Sequence, residues 1–405
     1  MTELNIALAL VGATVLAMGL VSRLLNRSVL SPPLLAFLVG VMAGPVLGWL
    51  DPARWGDEMA ILEQAARLTL GVSLMGIALR LPPRFVFRQG RSLILLLALG
   101  MPLMWLASSG LAFGVLDLTL MTALMLGAAV CATDPVVASS IVTGGVATGN
   151  LPGRFRHTLS AESALNDGLA LPLVMLPILL LGSANAPLQD WLLHVLLWQV
   201  VVAVVLGAIL GWLAGTALRL AEARDLIDQP SFLVTTLALT VLALGGAKAL
   251  GTDSILAVFA TGIAFDQQVG GKERSEEARV QEAVNLFFTL PVFMLVGLMI
   301  PWRDWLALGW AGPALVLSIL ALRRLPVILL LRPGIGPWRD WPVALLAGWF
   351  GPIGVSALFY AMLVHRETGD HSVWVGASLL VAASLLVHGV SAAPLAKYYG
   401  RRHGD

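Results

Sequence analysis

Long apolar runs, separated by short polar connections, make up most of this chain. Many of the runs are about 20 residues long, which is the length that an α-helix needs to cross the hydrocarbon core of a bilayer. Their hydropathy predicts an all-α polytopic membrane protein with about 13 transmembrane helices. The predicted spans lie approximately at residues 4–22, 29–50, 59–79, 92–115, 118–142, 157–182, 191–218, 230–250, 253–267, 281–300, 306–331, 341–364 and 372–396.

The composition agrees with a chain that lies mostly in lipid. Of the 405 residues, 58% are hydrophobic and 12% are charged, whereas a soluble domain has about 25% charged residues. The net charge of +1 gives no support for binding to nucleic acid. The single cysteine, Cys131, excludes a disulfide framework within the chain.

The basic residues are distributed unequally between the two sides of the predicted membrane. The connections after odd-numbered spans contain 18 Lys and Arg residues, and those after even-numbered spans contain 4. Because cytoplasmic loops carry the excess of basic residues, we predict that the N-terminus lies outside and the C-terminus in the cytoplasm. The expected location is the plasma (inner) membrane, with the chain as a multi-pass protein.

Two pairs of spans resemble each other at an offset of seven spans. Residues 31–40 of span two and 254–262 of span nine share Ser at the start, Gly at the end and an apolar run between them. Residues 75–79 at the end of span three and 296–300 at the end of span ten share a Gly in second place within an apolar run. Because seven is odd, the second copy crosses the membrane in the opposite direction. We therefore predict an inverted repeat of spans 1–6 and 8–13, an architecture that is typical of secondary transporters.

Proline interrupts an apolar run at corresponding places in the two halves. Span five contains Thr133-Asp134-Pro135, and span twelve contains Gly351-Pro352-Ile353-Gly354. Proline removes a backbone hydrogen bond from a helix, so we predict two discontinuous helices that cross. Broken helices at matching positions indicate a binding site. Their freed carbonyl groups are candidates for binding a cation, and their N-termini need a negative neighbour such as Asp134.

Span six adds two acids to this region. Glu162 and Asn166 are four residues apart, as are Ser163 and Asp167, so each pair shares a helix face. A polar patch that packs helices together is the alternative interpretation. Ionisable groups within a membrane are costly, however, and mark functional sites. The pattern therefore indicates a cluster of oxygen ligands for a proton or a hard cation.

Two mechanisms can make these buried acids tolerable. One is a basic partner, for which Arg323 and Arg324 in span eleven are the candidates for pairing with Glu162. The alternative for both arginines is that they extend to the surface. The other mechanism is protonation, so that a proton and an alkali metal ion compete for Asp167.

The two motifs, Thr133-Asp134-Pro135 and Glu162-Ser163-x-x-Asn166-Asp167-Gly168, resemble the CPA1 family of cation:proton antiporters, in particular its NhaP-type members. The resemblance covers the whole transmembrane chain. It implies electroneutral exchange of one Na+, Li+ or K+ ion for one proton, without a cofactor.

The resemblance also implies roles for single residues. The cation is expected to touch Asp134, the Thr133 main chain, Ser163 and Asp167. Glu162 is expected to act through water and to pair with an arginine of span eleven. There the family's Arg-x-x-x-Val spacing, matched by Arg323 and Val327, favours Arg323 over Arg324. Asn166 stands where related electrogenic families have a second Asp.

The family pattern further implies the organisation of the molecule. Residues 1–405 are expected to form one transmembrane domain that assembles as a homodimer in the lipid bilayer. Its transport core is expected at about 92–182 and 306–396, and its dimerisation scaffold at about 4–79 and 191–300. One departure is Ile353, where many relatives have Arg, which leaves the charge balance at the second interruption open.

Two other functions fit parts of the pattern. A cation channel needs rings of equivalent ligands along a continuous pore, whereas this chain has one asymmetric acid cluster. A non-transporting membrane receptor does not need the acids. An enzyme is not indicated, because no nucleophile–base pair stands out. Two minor sites have simple interpretations: Glu63 and Arg67 as a helix pair, and His388 as a packing or interfacial residue, with a pH sensor as the alternative.

Overall fold

A computed structural model of the chain describes residues 2–21, 30–134, 137, 142–182, 185–226, 232–269 and 274–403, without the side chains of residues 2 and 274–282. All regular secondary structure in these ranges is helical. We number the helices as follows: α1 Thr2–Leu20, α2 Pro32–Val46, α3 Glu58–Arg80, α4 Gly90–Leu116, α5 Leu120–Cys131, α6 Gly153–Leu181, α7 Pro187–Ala223, α8 Phe232–Ala249, α9 Ser254–Val269, α10 Arg274–Leu298, α11 Ala311–Gly334, α12 Trp341–Trp349, α13 Val355–Thr368 and α14 His371–His403. Shorter helical turns connect some of them.

The all-α membrane fold predicted from hydropathy is confirmed. Within the described ranges, 8 helices are long and apolar enough to cross a membrane, and α2, α5, α9 and the second part of α10 are shorter apolar helices. Each predicted span overlaps a helix or, in span twelve, the two helices α12 and α13. The number of crossings stays a prediction, because these lengths and compositions alone do not fix it.

The helices pack as two groups. Helices α2, α3 and α7–α10 form one group and α4–α6 and α11–α14 the other, and α6 also packs against α7 and α9 of the first group. In the first group α7 approaches α9 closely through glycines four residues apart. A Cβ atom added to Gly207 or Gly211 would collide with the backbone of Ala257 or Thr261. Small residues of this kind allow helix backbones to approach in a membrane.

Helix α3 lies where the two groups meet. Every residue from Thr69 to Leu79 is buried, because α3 packs against α9 and α10 on one side and α13 on the other. The predicted pairing of Glu63 with Arg67 is wrong. Glu63 lies on the part of α3 that is turned towards α13, and there it pairs with Arg366.

The two interrupted helices meet each other in the second group. Helix α5 ends at Cys131, and five non-helical residues separate α12 from α13. The backbone N–H of Asp134 donates a hydrogen bond of 2.8 Å to the carbonyl oxygen of Pro352. Pro135 lies outside the described residues. The interruptions predicted from the sequence therefore lie side by side, and the candidate site surrounds them.

Candidate ion-binding site

The end of α5 leaves carbonyl groups without helical partners, as every helix C-terminus does. Arg323 supplies the missing donors. Its Nη1 atom lies 2.5 Å from the carbonyl oxygen of Val130 and 3.0 Å from that of Ala132. Its Nη2 atom donates to the carbonyl oxygen of Gly351 in the other interruption. From the sequence, the freed carbonyl groups were candidates for binding a cation. In the structure the guanidinium group of Arg323 bonds to them.

The neighbouring arginine makes the ion pair with span six. Arg324 binds Glu162 through two parallel hydrogen bonds, Nη1 to Oε1 at 2.8 Å and Nη2 to Oε2 at 3.0 Å. The preference for Arg323 that the family spacing implied is therefore wrong. The two arginines form a two-residue bend between the helical segments Ala311–Leu322 and Leu325–Leu331 of α11, and of the two only Arg324 bonds to α6. Both arginines are 2% exposed, so the surface alternative is also wrong.

The amide of Asn166 connects this ion pair to the first interruption. Its Nδ2 atom donates to Glu162 Oε1 and to Thr133 Oγ1, each at 2.9 Å. Its Oδ1 atom accepts from the Thr133 backbone N–H at 3.1 Å. The Thr133 hydroxyl in turn lies 3.0 Å from the hydroxyl of Ser163. Asn166 therefore fixes the interrupted backbone without adding a second charge beside Asp167.

Asp134 lies at the N-terminus of α13. Its Oδ2 atom accepts a hydrogen bond of 2.7 Å from the backbone N–H of Val355, where the helix dipole favours negative charge. Gly354 makes this approach possible, because a Cβ atom there would lie 2.5 Å from the Cβ atom of Asp134. At Gly351 a Cβ atom would collide with the side chain of Arg324. The two glycines thus allow charged groups to reach the second interruption.

Asp167 lines a small cavity together with Asp134 and Val355, and residues of α3 form the opposite wall. The cavity has a volume of about 10 Å³, which is space for roughly one water molecule. The Oδ1 atom of Asp167 is buried and has no hydrogen-bond partner among the described residues. The hydroxyl of Tyr360 holds the backbone beside it by donating to the Asp167 carbonyl oxygen at 2.5 Å.

Three polar residues that support this arrangement were not identified from the sequence as parts of the site. Tyr360 is one. The hydroxyl of Ser384 accepts from the Ile353 backbone N–H at 2.8 Å, and His388 Nε2 lies 3.0 Å from the Trp349 carbonyl oxygen. A neutral His388 with its proton on Nε2 satisfies both contacts, with Nδ1 accepting from Ser384. The signal was available, since Ser384 and His388 are polar and four residues apart within an apolar run.

The charges in the site do not cancel. Three carboxyl groups and two guanidinium groups lie together, each on a residue at most 2% exposed. If all are ionised, the site has one net negative charge. Uncompensated charge is costly in a membrane interior. One additional positive charge would balance these five groups. The residues of this charge count are Asp134, Glu162, Asp167, Arg323 and Arg324.

Interrupted helices that cross, with buried acids and arginines around the crossing, define a membrane protein of the secondary-transporter class. The comparison with known families gives the same result. Residues 8–398 match the family model described as "Sodium/hydrogen exchanger, transmembrane", and the chain belongs to this family.

Individual relatives extend this result. A probable Na+/H+ antiporter of Schizosaccharomyces pombe is 32% identical over 96% of this chain, and the match covers 56% of that relative. The chain thus spans about half the length of that protein. A K+/H+ antiporter, NhaP2, of Shewanella sp. (strain MR-4) is 27% identical over 96% of this chain and 67% of its own length.

A solved structure shows the same fold. The sodium proton antiporter MjNhaP1 from Methanocaldococcus jannaschii has a TM-score of 0.75 against this chain, with 19% identity and coverage of 98% of both chains. The family match and the curated relatives confirm the predicted resemblance to cation:proton antiporters, and with it the expectation of a transporter family rather than an enzyme.

Proposed function

We propose that the chain is a secondary active antiporter that exchanges one monovalent cation, Na+, Li+ or K+, for one proton. The observation that carries this proposal is the single net negative charge of the buried site, next to the unpartnered Oδ1 atom of Asp167. The relatives support it, since they are named as Na+/H+ and K+/H+ antiporters.

The proton and the cation occupy the site in turn. In one loaded form the Asp167 carboxyl group carries a proton. In the other, the cation binds Asp167 and Asp134, with oxygen atoms of Ser163 and the Thr133 main chain as further ligands. Both forms are neutral, so each can be exposed to either side of the membrane. The empty form has a net charge and does not cross. Exchange is then coupled and electroneutral.

The alternation requires the two groups of helices to move relative to each other. We assign the transport core to about residues 92–182 and 306–396 and the dimerisation scaffold to about 4–79 and 191–300. The packing of the helices into two groups supports this division. The chain then works as a homodimer in the plasma (inner) membrane, with its N-terminus outside and its C-terminus in the cytoplasm.

The test is dissipation of a pH gradient by purified protein in liposomes. A pH-sensitive dye reports the gradient while NaCl, LiCl, KCl or choline chloride is added. We expect dissipation with one or more of the alkali salts and none with choline. Asp167→Asn should abolish it, whereas Asp190→Asn, which changes an exposed acid away from the site, should not. If a voltage across the membrane changes the rate of dissipation, the protein is a channel or an electrogenic exchanger instead.

A further inference from the structure

The cavity beside Asp167 has a wall that belongs to the other group of helices. Thr69 and Ser73 of α3 line it opposite Asp134 and Asp167. None of the sequence motifs includes these two hydroxyl groups. They lie one helical turn apart, so both face the same side of α3.

The two hydroxyl groups differ in their partners. Thr69 Oγ1 donates to the carbonyl oxygen of Phe288 at 3.0 Å, so its hydrogen is already in use. Ser73 is 5% exposed, and its Oγ atom has no hydrogen-bond partner among the described residues.

The hydroxyl of a serine in a helix can bond to the carbonyl four residues earlier. Ser108 does so, with its Oγ atom 2.8 Å from the Met104 carbonyl oxygen. Ser73 makes no such bond. A buried hydroxyl without a partner is costly, and this one lines the same cavity as the unpartnered Oδ1 atom of Asp167.

We infer that the Ser73 hydroxyl is a further oxygen ligand for the monovalent cation, contributed by the scaffold rather than by the core. This inference rests on the antiport function proposed above. The cavity has room for roughly one water-sized particle. An ion that has lost its hydration water and is bound to Asp167 therefore lies within reach of Ser73. Hydroxyl and carboxylate oxygens are suitable ligands for such a hard cation.

The position of Ser73 gives this ligand a property that the others lack. Asp134, Ser163 and Asp167 belong to the core and move with the ion, whereas Ser73 stays with α3. The ion therefore contacts Ser73 only when the core has the position seen here. Ser73 increases the affinity for the cation on one face of the membrane and leaves the affinity on the other face unchanged.

The test compares two serine variants in two vesicle preparations. Everted and right-side-out membrane vesicles, from a bacterial host without its own antiporters, expose opposite faces of the protein to added NaCl or LiCl. Ser73→Ala should raise the apparent KM for the cation about three- to tenfold on one face only, since one neutral hydrogen-bonding ligand is lost. Ser163→Ala should raise it on both faces, and Ser108→Ala on neither.

The outcomes separate this inference from the proposed function. If the unchanged protein exchanges no ion, the antiport function fails. If it exchanges ions but Ser73→Ala leaves both KM values unchanged, raises both equally, or lowers only the maximal rate, the role of Ser73 is overturned.

A second variant keeps the test decisive should Ser73→Ala not insert into the membrane. Ser73→Cys, combined with Cys131→Ala to remove the chain's own thiol, can be labelled with a small thiol reagent. Na+ should slow the labelling relative to choline at equal ionic strength. Labelling at the same rate in both salts would contradict direct contact with the ion.

Discussion

The carboxyl groups of Glu162 and Asp167 lie on two sides of the site and differ in how completely their oxygen atoms are bonded. On one side both carboxylate oxygens of Glu162 are bound by Arg324. On the other side Asp167 is equally buried, but one of its oxygens is without a partner among the described residues. The first side is complete and holds helices α6 and α11 together. In the function proposed above, this difference separates a structural ion pair from an exchangeable site.

The two adjacent arginines also differ in the groups to which they bond. Arg324 neutralises an acid, whereas Arg323 bonds to four carbonyl groups at the ends of the two interruptions. The family resemblance implied an arginine in the second interruption, where this chain has Ile353. Here Arg323 brings positive charge to the same region from a different helix.

The largest effect on stability is expected at the ion pair between Glu162 and Arg324. Arg324→Ala leaves Glu162 buried without its partner, which costs about 3–5 kcal/mol of stability. Thermal unfolding in detergent, or loss of the folded monodisperse fraction, measures this effect. The double variant Glu162→Gln/Arg324→Gln should recover much of the loss. If the single variant is as stable as the unchanged protein, the pair is not structural.

Arg323→Lys should have the next largest effect. Lysine keeps the charge, but its compact ammonium group cannot reach the carbonyl groups of both interruptions as a planar guanidinium does. Because charged hydrogen bonds contribute about 1.5–3 kcal/mol each, we expect a loss of about 2 kcal/mol in stability. Exchange should also slow at least tenfold. Full activity with lysine would mean that charge alone matters there.

Gly354→Ala tests how closely Asp134 must approach α13. The added methyl group forces Asp134 away from the Val355 N–H, and such overpacking costs about 1–3 kcal/mol. We expect a higher apparent KM for the cation in the liposome assay. Gly245→Ala is the matched control, because nothing lies within 4 Å of the added atom in α8. Equal behaviour of the two variants would argue against a close approach at the site.

The smallest effect on stability is expected where the effect on activity is greatest. Asp167→Asn should change the stability by no more than about 1 kcal/mol, since the amide has the same shape and removes a carboxylate that lacks a full set of partners. A matched thermal unfolding curve, next to an inactive protein in liposomes, is the expected pair of results. Strong destabilisation would mean that Asp167, like Glu162, has a structural role.

Much of this arrangement could be predicted from the sequence because its signals are local. Hydropathy indicates the spans, proline marks the interruptions, and an acid within an apolar run stands out. The pairing of Glu162 and Asn166 also followed from their spacing of four residues.

The remaining features depend on how distant helices turn towards each other. Arg323 and Arg324 are chemically identical neighbours, and the bend that they form in α11 decides which of them faces Glu162. Glu63 pairs with Arg366 rather than with Arg67 because α13 packs against α3. Ser73 was not identified because a single serine in an apolar helix has no distinguishing pattern until the cavity beside it is known.

In the proposed function, a buried site with one net negative charge accepts either one proton or one monovalent cation. The most direct measurement is the release of protons when NaCl or LiCl is added to the purified protein in a weakly buffered solution between pH 6 and 9. We expect up to one proton per chain at the acidic end, fewer as the pH rises and the site is already deprotonated, and none from Asp167→Asn. Cation binding without proton release throughout this range would contradict the account.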